Sequence, residues 1–160
     1  MKLFKISFIS IITILLFSSI FISCSKSSDD GSKSTDNTTT TSTGLFVSVG
    51  SSGTILTSSD GTSWDNQTSG TTEGLGGVTY GNGLFVTVGD NGTILTSPEG
   101  ITWTERTYGT FENLHGVTYG NGLFVTVGNS GIIYTSPDGN SWTTRTTGTS
   151  NHLVGVTYSQ

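Results

Sequence analysis

Few side chains in this 160-residue sequence are placed to do chemistry, and they fall into three groups. The first is Glu73, Asp90 and Glu112, acids in turns or loops; a glycosidase would need two such carboxylates at a set separation, and nothing in the sequence pairs them. The second is His115 and His152, which do not stand at equivalent positions and have no cysteine or histidine companion at metal-ligand spacing. No metal and no cofactor is expected, and lone histidines of this kind read as solvent-facing. The third group recurs: Ser58-Ser59-Asp60-Gly61-Thr62-Ser63-Trp64, Ser97-Pro98-Glu99-Gly100-Ile101-Thr102-Trp103 and Ser136-Pro137-Asp138-Gly139-Asn140-Ser141-Trp142. The chemistry there is structural. A short acid accepts hydrogen bonds from amides two residues on, glycine supplies a permissive φ, and tryptophan buries a large ring beside the turn. Glu99 departs from the pattern, and its extra methylene is expected to reach past the local amides and leave the second turn the loosest. Calcium or substrate binding by Asp60 and Asp138 is the competing reading.

The elements that position these groups repeat as well. Trp64, Trp103 and Trp142 stand 39 residues apart, a period that marks a repeat architecture. The repeats run 44–82, 83–121 and 122–160. Each reads as four short strands: in the middle one, Leu84 to Val88, Thr93 to Thr96, Thr102 to Thr107 and Leu114 to Tyr119. Asn82-Gly83 and Asn121-Gly122 join strand pairs as type I′ hairpin turns. Leu84, Val86 and Val88 face one way and Phe85 and Thr87 the other, so the sheets are covered on both sides. No apolar spacing at the helical period occurs. The expected fold class is therefore all-β, with three four-stranded antiparallel blades of the β-propeller type. A β-solenoid or stacked-sheet array is the rival.

The Ser-x-Asp-Gly-x-x-Trp turns resemble Asp-boxes, the repeated turns of sialidase-like and photosystem-assembly-factor-like β-propellers, in a form one residue shorter than usual. The resemblance covers Gly44 to Tyr158. It implies boxes on the outer edges of the blades, away from any active site. Sialidases hold their substrate with three arginines and a tyrosine–glutamate pair. This repeat region has two arginines, Arg106 and Arg145, at equivalent places on the outer strand where Gln67 stands in the first repeat. They read as solvated or paired with neighbours such as Glu105.

If the Gly-Val-Thr-Tyr strand is innermost, the repeat region opens at Gly44 with a second strand and closes at Leu153 to Tyr158 with an innermost one. The last strand could then complete the sheet begun by the first. Three blades are too few for a ring, and an open arc would leave apolar blade faces in water. A homodimer forming a six-bladed ring is expected, each terminal strand pairing within its own chain or with its partner's. The same strand order puts the loops between repeats on one face with the Gly89-Asp90-Asn91-Gly92 turn, opposite the Asp-boxes. That face varies most between repeats. The stretch 68–76 is matched by one carrying Tyr108, Phe111, Glu112, Asn113 and His115, then by Thr149, Ser150, Asn151 and His152. With Glu73, Asp90 and Asn91, these form the candidate binding loops for a glycan or a protein partner.

Residues 1–23 read as a secretion signal: Lys2 and Lys5, then an almost wholly apolar run from Ile6 to Ile22. Phe21-Ile22-Ser23-Cys24 resembles a bacterial lipobox, which implies lipid attachment at Cys24, the only cysteine. An ordinary signal peptide with an incidental cysteine is the alternative. Residues 25–43 are polar and small, a disordered tether. Ser25 after the lipidated position favours the outer membrane, periplasmic or surface-exposed. Without Lys2 and Lys5, four basic side chains face eleven acidic ones, −7 formally, and no basic patch exists for nucleic acid. The expected function is a cell-envelope, membrane-anchored lipoprotein acting as a non-catalytic binding or scaffold module. A sialidase-like envelope glycosidase and an assembly factor for an envelope complex are the alternatives.

Overall fold

A computed structural model describes residues 44–106 and 109–160. The signal, Cys24 and the tether lie outside the described residues, as do Thr107 and Tyr108. The described chain is all-β. Strands β1 (Phe46–Val49), β2 (Ile55–Ser58) and β3 (Asp65–Gln67) form the first sheet. Strands β4 (Leu75–Gly81), β5 (Leu84–Gly89), β6 (Ile94–Ser97) and β7 (Thr104–Glu105) form the second. The third contains β8 (Leu114–Gly120), β9 (Leu123–Gly128), β10 (Ile133–Ser136) and β11 (Thr143–Arg145). Every pairing is antiparallel and between consecutive strands, the meander of a propeller blade.

Local sequence explains the joints. Asn82 and Asn121 have φ of 50° and 48°, and Gly83 and Gly122 follow at 74° and 78°. Both central residues of each hairpin are thus left-handed, as a type I′ turn requires. The turn between second and third strands is a single tight one: Asn91 sits at φ 52° and Thr93 N–H donates to Asp90 O at 3.0 Å. The third strand therefore starts at Ile94 rather than Thr93. The outer strand is also shorter than expected, because Thr102 N–H is spent on the Glu99 carboxylate and cannot join a ladder.

The core lies between sheets. Val86, Val88, Ile94, Leu114, Val117, Phe124, Tyr134 and Trp142 fill the space between the second and third. Ile55, Leu75 and Leu95, with Val47, Val49 and Trp103 against them, fill that between the first and second. The two-sided covering read from the pattern holds in β5, where Val86, Thr87 and Val88 are all fully buried.

Innermost strands pack backbone to backbone. A Cβ on Gly77 would stand 3.3 Å from Gly116 Cα, and one on Gly116 would stand 3.2 Å from Gly155 Cα. The Tyr119 ring covers Gly81, and the Tyr158 ring covers Gly120 in the same way. Leu153 N–H donates to Gly128 O at 3.0 Å, as Leu75 N–H does to Gly50 O at 3.0 Å. The segment 153–158 thus lies where the innermost strand of the next blade belongs.

That placement corrects one expectation. The first sheet has three strands, not four, and 153–158 forms no ladder with β1 or with any other described strand. The segment is held against β8, where Gly116 meets Val154, Gly155 and Val156, and not in a ladder beside β1.

Candidate binding face

The loops between repeats share one construction. Thr71 Oγ1 accepts Glu73 N–H, Thr110 Oγ1 accepts Glu112 N–H and Thr149 Oγ1 accepts Asn151 N–H, each at 3.1 Å. These threonines recur at the 39-residue period, a signal present in the sequence but not singled out there. Backbone bonds then moor each loop to a neighbouring turn: Gly53 N–H to Glu73 O at 2.8 Å, Asp90 N–H to Gly74 O at 2.8 Å and Asn129 N–H to Asn113 O at 2.9 Å. Loop and turn therefore share a face, as the strand order implied.

Side chains extend the same links. Asn91 Nδ2 donates to Glu73 Oε2 at 2.9 Å, while Asn91 N–H donates to Asn113 Oδ1 at 3.0 Å. Glu73 of the first repeat and Asn91 and Asn113 of the second are thus joined in one chain. His152 stands one period after Asn113 and repeats its task, with Nδ1 accepting Ser130 N–H at 3.4 Å. His115 Nε2 lies 2.7 Å from Asn129 Oδ1, a contact that places a proton on Nε2. Both histidines, read as solvent-facing, have partners on this face. Asp90 is half-buried, with its carboxylate against Gly74. Phe111 is 87% exposed at the tip of the second loop. Glu112 is half-buried and Asn151 exposed in the second and third loops.

The opposite face holds the three turns that end in Trp64, Trp103 and Trp142. Asp60 Oδ1 accepts from Thr62 N–H at 2.8 Å and Ser63 N–H at 2.9 Å, and from Ser58 Oγ at 3.0 Å. Asp138 Oδ1 repeats this with Asn140, Ser141 and Ser136 at 2.8, 2.9 and 3.0 Å. Ser58, Ser97 and Ser136 accept the amides of Gly61, Gly100 and Gly139 at 2.8, 2.7 and 2.8 Å. Glu99 Oε1 accepts Thr102 N–H at 2.8 Å, the farther of the two amides that each aspartate takes, so the second turn has one such bond where the others have two. The amides of Ser63 and Thr62 hold the Asp60 carboxyl well below the usual range. The Ser141 and Asn140 amides lower Asp138, and the Thr102 amide lowers Glu99. Trp103 and Trp142 close their turns by donating Nε1–H to Gly100 O and Gly139 O at 3.1 and 3.2 Å. Trp64 stands at the same place in the first turn and is 42% exposed.

The arginines belong to neither face. Arg106 Nε donates to Thr96 Oγ1 at 2.8 Å and Arg145 Nε to Thr135 Oγ1 at 2.9 Å. Gln67 Nε2 makes the corresponding bond to Thr57 Oγ1 at 2.8 Å. All three pin the outer strand to the third, and the described partner of Arg106 is threonine rather than Glu105. Among the described residues, no group of three His, Cys, Asp or Glu side chains is placed to hold a metal ion.

Blade-by-blade meander and period together identify the architecture. The chain has the propeller-type fold. A solved structure of YCF48 bound to D1 peptide is similar, with a TM-score of 0.54 at 20% identity. The match covers 61% of this chain and 34% of that one, so this chain spans about a third of that protein's length. No family model matches the sequence, and no curated protein does.

Proposed function

We propose that this chain is a non-catalytic binding or scaffold module that takes a protein segment on its variable loop face. The observation that carries the reading is the joined set Glu73–Asn91–Asn113 beside exposed Phe111, mounted on loops moored by backbone bonds. A rigid scaffold carrying polar groups and an exposed aromatic suits recognition, because little conformational entropy is lost on binding. YCF48, similar in fold, is bound to a peptide in its solved structure, which favours a peptide over a glycan as ligand class. On this reading the chain is displayed from a bacterial envelope, most simply the outer membrane, through lipid on Cys24, with 25–43 as tether.

Two experiments test this. The full chain is screened against arrays of extended peptides and of glycans. Peptide binding that falls at least tenfold in Phe111→Ala/Asn113→Ala and persists in Thr62→Ala, on the opposite face, supports the reading. Binding to glycans alone, or binding indifferent to the loop variant, overturns it. For the anchor, cells are fed a labelled fatty acid; label should enter the chain and be lost in Cys24→Ala.

A further inference from the structure

The two ends of the repeat array are complementary. Among the described residues the first sheet has no innermost strand, and segment 153–158 is an innermost strand without a sheet. We infer that a second copy of this chain supplies what each end lacks: segment 153–158 of one copy pairs antiparallel with β1 of the other.

The register follows from the intact third sheet. There Leu114 faces Gly128, Gly116 faces Val127, Val117 faces Thr126, Thr118 faces Val125 and Tyr119 faces Phe124. Carried along the period, Leu153 faces Gly50, Gly155 faces Val49, Val156 faces Ser48, Thr157 faces Val47 and Tyr158 faces Phe46. Every residue type except Ser48, which replaces threonine, matches its counterpart in the third sheet.

Exposure marks the same seam. On the leading side, Phe46, Trp64 and Tyr80 are 56, 42 and 57% exposed; on the trailing side, Leu123, Val154 and Tyr158 are 36, 76 and 45% exposed. All these exposures but that of Val154, whose counterparts Gly76 and His115 are not buried either, have a local cause. In complete blades the phenylalanine packs on its innermost tyrosine, Tyr80–Phe85 and Tyr119–Phe124, with ring centroids 4.5 and 4.7 Å apart. Phe46 and Tyr158 are the two halves of a third such pair. The third tryptophan turn packs on the preceding blade, where a Cβ on Gly139 would stand 2.8 Å from Leu84 Cδ2 and 3.3 Å from Val86 Cγ2. The second does so on Leu45 and Val47. Among the described residues no blade precedes the first such turn, with Trp64, and no blade after the third brings such a turn to Leu123. Joining two copies sets Trp64 near Leu123 and Tyr80 over the neighbour's innermost strand.

Sharing the ends in this way joins β1 of one copy and segment 153–158 of the other in one composite blade, and covers the strand edge that β1 presents among the described residues.

The test is disulfide trapping in the full chain carrying Cys24→Ser. Two tagged forms are mixed, one with Ser48→Cys and the other with Val156→Cys; a second set uses Val47→Cys and Thr157→Cys. Adjacent antiparallel pairs alternate between close and wide spacing, so one set meets disulfide geometry, and a misfolded variant in one set leaves the other readable. The expected result is a mixed-tag disulfide dimer in at least one set, formed at least tenfold faster than with the off-register pair Ser48→Cys and Val154→Cys. With both cysteines on one chain, linked dimers should form rather than a compact linked monomer. Linked monomers alone, or no in-register linkage in either set, overturns the inference.

Discussion

Trp142 and Trp64 occupy the same turn two periods apart, yet Trp142 is 6% exposed and Trp64 is 42% exposed. The turns are built alike, with the same aspartate bonds at nearly the same distances. The difference is the neighbour: Trp142 packs with Val86, Val88 and Ile94 of the blade before it, and among the described residues no blade precedes Trp64. Burial of the indole is thus a property of the array, not of the turn.

Trp142→Ala should therefore destabilise the fold by about 3–5 kcal/mol, the usual cost of emptying a large aromatic from a core. Trp64→Ala should cost about 1 kcal/mol or less in the separated chain. Denaturant unfolding at two protein concentrations checks both. The Trp142 cost should not change with concentration, while the Trp64 cost should grow as copies associate. Equal costs at high dilution would contradict the difference in packing.

Gly116→Ala tests the packing of innermost strands. The added methyl would stand 3.2 Å from Gly155 Cα and 3.4 Å from Val154 O, against backbone rather than a yielding side chain. The expected cost is about 1–3 kcal/mol, with the terminal segment pushed off β8. Limited proteolysis near Leu153–Tyr158 should quicken, while Gly109→Ala, where a Cβ meets nothing, should leave that site protected. The control pays only for its left-handed φ of 78°.

What was legible in the sequence was what is local. Asn82-Gly83 declares its turn because both residues accept positive φ, and the alternation in Leu84–Val88 declares two covered faces. Partners set by geometry across repeats were not legible. The 39-residue period makes His152 the counterpart of Asn113, but that both accept an amide from the neighbouring turn shows only in the fold. Glu99 was expected to overreach, but one longer side chain can still find the second of two adjacent amides. The missing ladder at Leu153–Tyr158 could not be read at all, since its residues match those of β8 and only the absent edge distinguishes them.

The acids of the three tryptophan turns predict the acid response. Unfolded aspartates titrate near 3.8 and glutamate near 4.5, whereas Asp60, Glu99 and Asp138 are all lowered in the fold. A lowered carboxyl adds stability that is full above its unfolded value and is lost as pH falls through the folded one. The melting temperature should hold from neutral pH to about pH 5, then fall steadily toward pH 2. In Asp60→Asn/Asp138→Asn the amide oxygen can still accept but no longer titrates, so the fall should be shallower. Parallel melting curves for variant and parent across that window would remove these acids as its cause.

Asn113 offers the sharpest test of how the loop face is held. Its Oδ1 accepts the amide of Asn91, a residue at φ 52°, in the left-handed region that asparagine tolerates. Asn113→Ala leaves that amide to solvent and should cost about 0.5–1.5 kcal/mol. Asn113→His should recover part of the loss, because His152 already accepts the equivalent amide of Ser130 through Nδ1. Amide exchange at Asn91 is the readout: faster in the alanine variant, intermediate in the histidine one. Exchange at Ser130 should not change in either, since its acceptor comes from the next loop. If Asn91 exchanges alike in all three proteins, the side chain of Asn113 does not fix the turn and its place on this face is free for a ligand alone.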